Sequence, residues 1–350
     1  MKFIPSNLFL PVLIVLLLIS ALSGVGIGAV SIGPMQVMGI LGKAIGINTD
    51  IVFESSQEAV LLSIRLPRVL LAVCTGAALA ISGAAMQGLF RNPLADPGLI
   101  GISSGASMAA VFFIVSGVKQ LIGLSDTLGI YALSVVTFTG AFLTTIVVYR
   151  LSQVSGRTVI SMMLLAGIGV NALTSAITGM FTYSANDAQL RSIVFWTLGS
   201  LGGATWTNII GILPFTLIPV FIMPGMAKSL NAFSLGENNA LHLGVDIQRV
   251  KRTIIILSAL CVGASVAVTG VIAFLGLVVP HIVRMLCGPD HRYLLPFSAL
   301  AGAILLINAD LISRTLFTPS EIPIGIITSI IGAPFFLYIL LKERKTNRLF

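Results

Sequence analysis

Apolar runs of about 20 residues recur along this 350-residue chain, with few charged residues between them. Hydrophobic residues make up 56% of the sequence and charged residues 9%, whereas soluble domains carry roughly 25% charged residues. Such runs predict spanning helices, because the strands of a membrane barrel would alternate apolar and polar residues over about ten positions. We therefore expect an all-α polytopic membrane protein, with residues 1–350 forming a single transmembrane domain.

Hydropathy alone indicates eight clear spans, and the alternation of charged loops requires two weaker runs to be included. We predict ten transmembrane helices, at residues 8–30, 59–89, 101–118, 128–149, 159–181, 209–223, 253–268, 277–287, 293–315 and 325–341. The stretch 183–203 is expected to form a short helix at the outer face.

The charges of the loops predict the orientation of the chain. With both termini in the cytoplasm, 14 of the 20 Lys and Arg residues fall on the cytoplasmic side. The other six are Lys43, Arg65, Arg68, Lys119, Arg191 and Arg314. This bias satisfies the positive-inside rule.

Residues 65–105 combine two arginines one helical turn apart, a run of small residues and the proline-broken elbow RNPLADP at 91–97. Small residues let helix backbones approach closely in lipid. Broken backbone at membrane depth is tolerated only where protein or a water-filled cavity surrounds it. We expect the rest of the chain to be organised around this stretch.

The chain partly repeats itself at a separation of 187 residues. The segment GAALAISG at 76–83 aligns with GASVAVTG at 263–270. The same shift aligns Arg65 with Arg252, Cys74 with Cys261, Pro93 with Pro280 and Gly101 with Gly288. The predicted topology inverts the two halves, about 59–203 and 248–341. Inverted repeats with broken helices at corresponding places are typical of transporters.

No energy-converting site is visible in the sequence. The Gly42-Lys43 pair is followed by Ala44 and lacks the first glycine of the phosphate-binding GxxxxGK[ST] motif. Asp310 lies inside an apolar run one turn from Arg314, which favours a paired structural role over a proton relay. Energy must then come from a partner, and the polar loop 228–252, with a short helix at 236–243, is the predicted docking site. The alternative is a solvated loop without a partner.

Other classes of function are weakly supported. The three cysteines lie in apolar runs and suggest packing rather than a disulfide framework. We find neither the basic patch with interleaved aromatics of a nucleic-acid-binding protein nor a catalytic or metal-binding constellation. An ion-coupled secondary transporter stays open as an alternative, because its inverted repeat would look similar, and an intramembrane enzyme ranks last.

Several motifs resemble the permease family of bacterial ABC importers for iron chelates, haem and vitamin B12. They are RLPR at 65–68, GAALAISG at 76–83, NPLADPG at 92–98, LGE and LGV within 235–245, GLVVPH at 276–281 and EIPIG at 321–325. The resemblance covers nearly the whole chain. It implies the ABC type II importer permease fold in the bacterial inner membrane and a homodimer. It also implies two cytoplasmic ATPase subunits that carry ATP and Mg²⁺, a periplasmic or lipid-anchored binding protein, and no cofactor on this chain.

The resemblance also implies roles for individual residues. Carboxylates of the binding protein would dock on Arg65, Arg68 and Arg314, for which anchoring to lipid headgroups is the alternative. The cytoplasmic gate would include Asn92, Leu94 and Ser161, for which capping and packing are the alternative. Coupling to the ATPase would involve Leu235, Gly236, Glu237, Leu243 and Gly244. The pathway would be lined by Met162, Met163, Asn171, Thr174 and Thr178.

The sequence indicates the substrate less clearly than it indicates the family. The pieces FRNP at 90–93 and GPDHRYLLP at 288–296 look most like the haem-importing branch of the family. Ferric siderophore is the second choice and cobalamin the last. All three histidines fall on the predicted cytoplasmic side, so no outer histidine could hold haem iron, although a pathway that binds weakly does not require one.

Overall fold

The structure is a computed structural model that describes residues 5–47, 50–116, 131–317 and 320–345. Lys119 and the adjoining ends of the predicted third and fourth spans lie outside these residues.

The first half of the described chain is built almost entirely from helices. They are α1 (Ser6–Gly26), α2 (Pro34–Ala44), α3 (Ser55–Val60), a π turn (Leu61–Arg65), α4 (Leu66–Phe90), a 3₁₀ turn (Pro97–Ile100), α5 (Ile102–Val115), α6 (Ala132–Leu151), α7 (Ile160–Tyr183) and α8 (Asp187–Leu198). A two-stranded antiparallel hairpin, β1 (Gln153–Val154) with β2 (Arg157–Thr158), connects α6 to α7.

The second half is also helical. It comprises α9 (Trp206–Ile222), a 3₁₀ turn (Met223–Met226), α10 (Ala227–Ser234), α11 (Glu237–His242), α12 (Ile247–Thr269), α13 (Leu275–Cys287), α14 (His291–Thr315) and α15 (Ile324–Lys345). The short helices predicted at 183–203 and 236–243 correspond to α8 and α11.

Each of the ten predicted spans corresponds to a helix. Seven described segments are long and apolar enough to cross a membrane: Leu8–Gly26, Ser55–Phe90, Ala132–Leu151, Ile160–Tyr183, Trp206–Ser234, Ile247–Thr269 and His291–Thr315. Three shorter apolar helices, Ile102–Val115, Leu275–Cys287 and Ile324–Ile339, complete the set. The prediction of an all-α polytopic membrane protein is confirmed.

Helix α4 forms the centre of the fold and packs against α12, α13 and α14. Glycines allow the backbone of α4 to approach the backbones of α13 and α14 closely. A Cβ added to Gly76 would lie 2.4 Å from the carbonyl oxygen of Gly302, and one added to Gly83 would lie 1.8 Å from that of Gly276. Backbones in direct contact are what small residues permit in a membrane. The expectation that residues 65–105 organise the chain therefore holds for α4.

The aligned repeat segments differ in local structure. Gly83 lies inside α4, whereas Gly270 follows α12 with φ +71° and sits against the carbonyl oxygen of Trp196. Likewise, Pro93 lies in the turn after α4, whereas Pro280 lies within α13. The two aligned segments therefore do not break the chain in the same way at these positions. The inverted relation of the halves 59–203 and 248–341 stays a prediction.

The ends of the helices fall into two groups. Residues of α10 and α11 contact the end of α4 and the starts of α12 and α14, and this group defines the α11 side. The start of α4 meets the ends of α1 and α14, and this group defines the Arg68 side.

Candidate functional site

On the Arg68 side, two of the predicted docking arginines share one buried acceptor, Asp310. Arg68 donates through Nε to Asp310 Oδ1 and Oδ2 at 2.9 and 3.0 Å, and its Nη1 contacts Glu321 Oε1 at 2.8 Å. Arg314 lies 3.6 Å from Asp310 and also donates to the carbonyl of Gly24. Asp310 is 3% exposed and Glu321 44% exposed, so Glu321 is the accessible member of this cluster. The paired structural role predicted for Asp310 agrees with these contacts.

Arg65 is 4% exposed and clamps the end of α1. Its guanidinium donates to the carbonyl oxygens of Val25 at 2.9 Å and Gly26 at 2.7 Å, and also to that of Val30. It occupies the last position of the π turn, directly before α4. Pro67 cannot donate an amide hydrogen within the first turn of α4, and a π turn at this point gives the preceding carbonyls other partners.

The elbow after α4 is made of capping contacts. Arg91 ends the helix in the left-handed region at φ 51°, and the side chain of Asn92 accepts from the amide of Leu94 at 2.9 Å. Asp96 accepts from the amide of Gly98 at 2.7 Å, and burial raises the pKa of the Asp96 carboxyl above its ordinary value. Among the described residues, no hydrogen bond joins Ser161 to Asn92 or Leu94.

Two residues of α7 pack against the 3₁₀ turn Pro97–Ile100 that follows the elbow. Asn171 donates to the carbonyl of Gly98 at 3.2 Å and accepts from Ser104 at 2.5 Å. A Cβ added to Gly167 would lie 1.9 Å from the carbonyl oxygen of Leu99. Helix α7 therefore packs directly against the broken backbone.

Most of the remaining surface of α7 is exposed. Met162 is on this exposed face, and Gly169 and Gly179 have no neighbour within 4 Å of an added Cβ. Met163 is 0% exposed and Thr174 donates to carbonyls of its own helix, so both point into the subunit. Met163 and Thr174 are therefore buried in this structure, and their part in lining a pathway stays a prediction. Thr178 is half-buried and bonds to the carbonyl of Thr174.

The predicted coupling segment forms α11 with a glycine on each side. Gly236 and Gly244 have φ +107° and +78°, which favour glycine and produce the turns that set α11 apart from α10 and α12. Leu235 and Leu243 are exposed, and so is Leu241 at 61%. The segment thus presents apolar side chains to solvent, which is unusual for a loop without a partner.

A buried lysine anchors α11 to the spanning helices. Lys251 is 2% exposed, and its Nζ lies 2.9 Å from Glu237 Oε2 and 2.8 Å from the carbonyl oxygen of Thr158. The amide of Thr158 in turn donates to Gln248 at 2.8 Å. Lys251 and Gln248 therefore connect α11 and α12 to the hairpin before α7.

Beside the elbow lies a cavity of about 450 Å³, whose lining includes Asn92, Arg284 and Asp290. Asp290 caps α14, and hydrogen bonds from Arg292 lower the pKa of its carboxyl to about 2. The predicted gate residue Asn92 therefore borders an open space on the α11 side.

A model described as the FecCD transport family matches residues 13–342. The chain belongs to the FecCD transport family. It is 43% identical to the hemin transport system permease protein HmuU of Yersinia pestis, over 97% of both chains. It is 39% identical to the cobalamin import system permease protein BtuC of Halobacterium salinarum, over 84% of this chain and 76% of that protein.

A similar fold is also found among solved structures. An inward-facing conformation of a metal-chelate type ABC transporter matches with a TM-score of 0.81 and 33% identity, over 96% of this chain and 99% of that chain. As an FecCD permease, the chain is a transport component rather than an enzyme.

Three residues of the FecCD permease were missed by sequence reasoning: Leu241, Lys251 and Glu321. Leu241 carried a signal, because it is an apolar residue in a polar loop. Glu321 belongs to the EIPIG motif, but its partner Arg68 is 253 residues away in the chain. Lys251 lies 14 residues after Glu237 in the same polar loop, and its contact with the distant carbonyl of Thr158 had no signal.

Proposed function

We propose that this chain is the membrane-spanning permease of an ATP-driven importer that moves haem or another iron chelate across the bacterial cytoplasmic membrane. The observation that carries the proposal is the similarity to a hemin permease over 97% of both chains. Cobalamin permeases and a metal-chelate transporter are also similar. A ferric siderophore is therefore the second candidate and cobalamin the third.

The proposed assembly is a homodimer with two cytoplasmic ATPase subunits, which bind ATP and Mg²⁺, and a periplasmic or lipid-anchored binding protein. The α11 side and both termini would be cytoplasmic, in agreement with the charge bias. The exposed face of α7, with Met162, Gly169 and Gly179, suits the approach of a second subunit and the lining of a path between subunits.

On the cytoplasmic side, α11 is the proposed contact with the ATPase. Leu235, Leu241 and Leu243 would enter a groove of that subunit, and Glu237 would transmit the motion through Lys251. The elbow residues Asn92 and Leu94, together with Ser161, are the proposed gate. Asn171, which contacts Ser104 and the carbonyl of Gly98, and Thr178, farther along α7, are proposed to line the pathway.

On the outer side, carboxylates of the binding protein would engage the cluster of Arg68 and Arg314. Glu321 already occupies one edge of Arg68 and is 44% exposed, so a docking carboxylate would replace it. Arginine suits this exchange because its planar guanidinium binds carboxylates with two hydrogen bonds. Arg65 would support the site by holding α1 in place.

The decisive experiment reconstitutes the permease in vesicles with its own ATPase and binding protein. ATP hydrolysis is measured with the binding protein loaded in turn with haem, a ferric siderophore and cobalamin. We expect the largest stimulation with haem, and uptake that stops when the ATPase is omitted. Accumulation against a gradient by the permease alone would refute the proposal.

A further inference from the structure

The seam between α6 and α12 contains an apolar groove that opens on the α11 side. It encloses a cavity of about 270 Å³. Its apolar walls are Phe142, Ile146 and Tyr149 of α6 and Ile255, Ile256 and Ala259 of α12. Ile255 and Ala259 are buried, whereas Ile146 and Ile256 are open to the surroundings, so the groove has a closed floor and an open side.

Two arginines stand at the mouth of this groove. Arg150 lies in the last turn of α6 and Arg252 in the second turn of α12, and both line the cavity. Both are exposed, and within the described chain neither has an ion pair. The acids closest in sequence to Arg252 are already engaged: Glu237 binds Lys251, and Asp246 caps α12 through the amide of Arg249. Two uncompensated positive charges therefore sit beside a long apolar surface.

The groove continues along the seam between α6 and α12, but the charged residues are found only at its mouth. A second cavity, of about 290 Å³, is bordered by Val135 and Phe138 of α6 and by Ala264 and Val268 of α12, with no charged residue in its lining. Between the two cavities, Gly263 brings the helices together against Phe138. The stretch from Phe142 to Tyr149 extends roughly 10 Å, since a helix rises about 1.5 Å per residue. One leaflet of hydrocarbon is roughly 15 Å deep, so this stretch fits the upper part of an acyl chain.

We propose that this groove is a binding site for an anionic phospholipid of the leaflet on the α11 side. The phosphate would lie between Arg150 and Arg252, and one acyl chain would fill the cavity below. Guanidinium groups match phosphate oxygens, and basic pockets between membrane helices recognise anionic headgroups. A free phosphate would use the arginines but leave the apolar cavity unfilled. The proposal requires only that the chain spans a bilayer, and it is independent of the transported substrate.

The test uses Ile146→Trp in the full chain, which puts an indole in the open wall of the groove. The protein is reconstituted in phosphatidylcholine vesicles containing a minor fraction of phosphatidylglycerol, with bromine on the acyl chains of one lipid or the other. Quenching in the chain without the substitution gives the background from Trp196 and Trp206. We expect stronger quenching by brominated phosphatidylglycerol than by brominated phosphatidylcholine at equal mole fraction.

Adding Arg150→Gln and Arg252→Gln should lower the apparent affinity for phosphatidylglycerol roughly tenfold. The matched control is Arg157→Gln with Arg249→Gln, which removes two exposed cations of the same side that do not line the groove. This control should keep the preference, and thermal unfolding in detergent verifies that every variant is folded.

Four results would overturn the proposal. The first is equal quenching by the two lipids. The second is an equal loss of preference in the control pair, which would indicate general surface attraction. The third is displacement of the lipid preference by inorganic phosphate. The fourth is a variant with Arg150→Gln and Arg252→Gln that shows unchanged quenching but no longer assembles with the ATPase. That result would assign Arg150 and Arg252 to a protein contact.

Discussion

Arg68 and Asp310, which are 242 residues apart in the chain, form a buried ion pair in which the Nε of Arg68 donates to both carboxylate oxygens of Asp310. The two side chains are 8% and 3% exposed. The pair joins the start of α4 to the end of α14, and Arg314 extends it toward α1.

Asp310→Asn should destabilise the protein strongly. The substitution leaves two buried guanidinium groups with less compensation, and loss of one partner of a buried ion pair costs about 3–5 kcal/mol. Thermal or denaturant unfolding in detergent measures the effect. The control is Glu321→Gln, which removes the partly exposed partner of Arg68 and should cost about 1 kcal/mol or less. Equal losses in the two variants would contradict the buried character of the Asp310 pair.

Glu321→Gln should also strengthen docking of the binding protein, if that protein uses Arg68. The substitution removes the internal competitor, and an exposed ion pair contributes up to about 1 kcal/mol, so we expect an affinity gain of about fivefold at low salt. The gain should shrink as salt screens the charges. Glu58→Gln is the control, because Glu58 pairs at 2.7 Å with Lys43, away from the arginine cluster. An unchanged affinity in Glu321→Gln would argue against docking at Arg68.

Leu241→Ser should weaken assembly with the ATPase by about tenfold or more without lowering the unfolding temperature. Leu241 is 61% exposed, so its removal costs the isolated subunit little, whereas an apolar anchor at an interface often contributes more than about 1 kcal/mol. Co-purification with the ATPase at varied concentration measures the loss. Leu316→Ser is the control, because Leu316 has a similar exposure but follows the end of α14 on the Arg68 side, away from α11. If both substitutions weaken assembly equally, α11 is not the docking element.

Gly83→Ala should destabilise the protein by about 1–3 kcal/mol, the usual cost of overpacking. The new methyl group would lie 1.8 Å from a backbone oxygen of Gly276, and backbone cannot rotate away as a side chain can. Gly225→Ala is the control, since an added Cβ there has no neighbour within 4 Å. A Gly83→Ala variant as stable as Gly225→Ala would show that α4 and α13 are further apart.

Asp290→Asn should lower stability by a pH-dependent amount. Hydrogen bonds from Arg292 lower the pKa of Asp290 to about 2, below the ordinary 3.8. The folded state therefore favours the charged form, and the benefit is complete above about pH 4 and is lost as the pH falls toward 2. Because the pair with Arg292 is open to solvent, we expect about 1 kcal/mol near pH 7. The difference in unfolding temperature between the two proteins should narrow as the pH falls from 4 to 2, and a difference that stays constant from pH 2 to 7 would contradict the charge effect.

The spans and the short helix α11 were predictable from sequence, because a membrane span requires a long apolar run whatever its neighbours. Asp310 was identified through Arg314, which is only one turn away. The role of Glu321 was not predictable, because its partner Arg68 is 253 residues away in the chain. The burial of Lys251 was not predictable either, because it depends on the carbonyl of Thr158, 93 residues earlier.

Which side of α7 packs against protein could not be predicted from the sequence either. Met162 and Met163 are adjacent and chemically identical, yet one is exposed and the other buried. A uniformly apolar helix carries no periodic signal for the side that meets protein, because lipid is as apolar as the core. Whether the side chain of Met163 faces protein depends on where the 3₁₀ turn after the elbow contacts Gly167 and Asn171.

The π turn at Leu61–Arg65 is equivalent to one extra residue in an otherwise regular helix. Deleting a single residue between Leu61 and Ile64 should restore ordinary winding and leave α4 where it is. If the same number of residues were instead wound as a regular α-helix, everything before this turn would be rotated by about 100° around the axis, and α3 would present a different face to α2. The apparent irregularity thus fixes the azimuth of the outermost part of this helix.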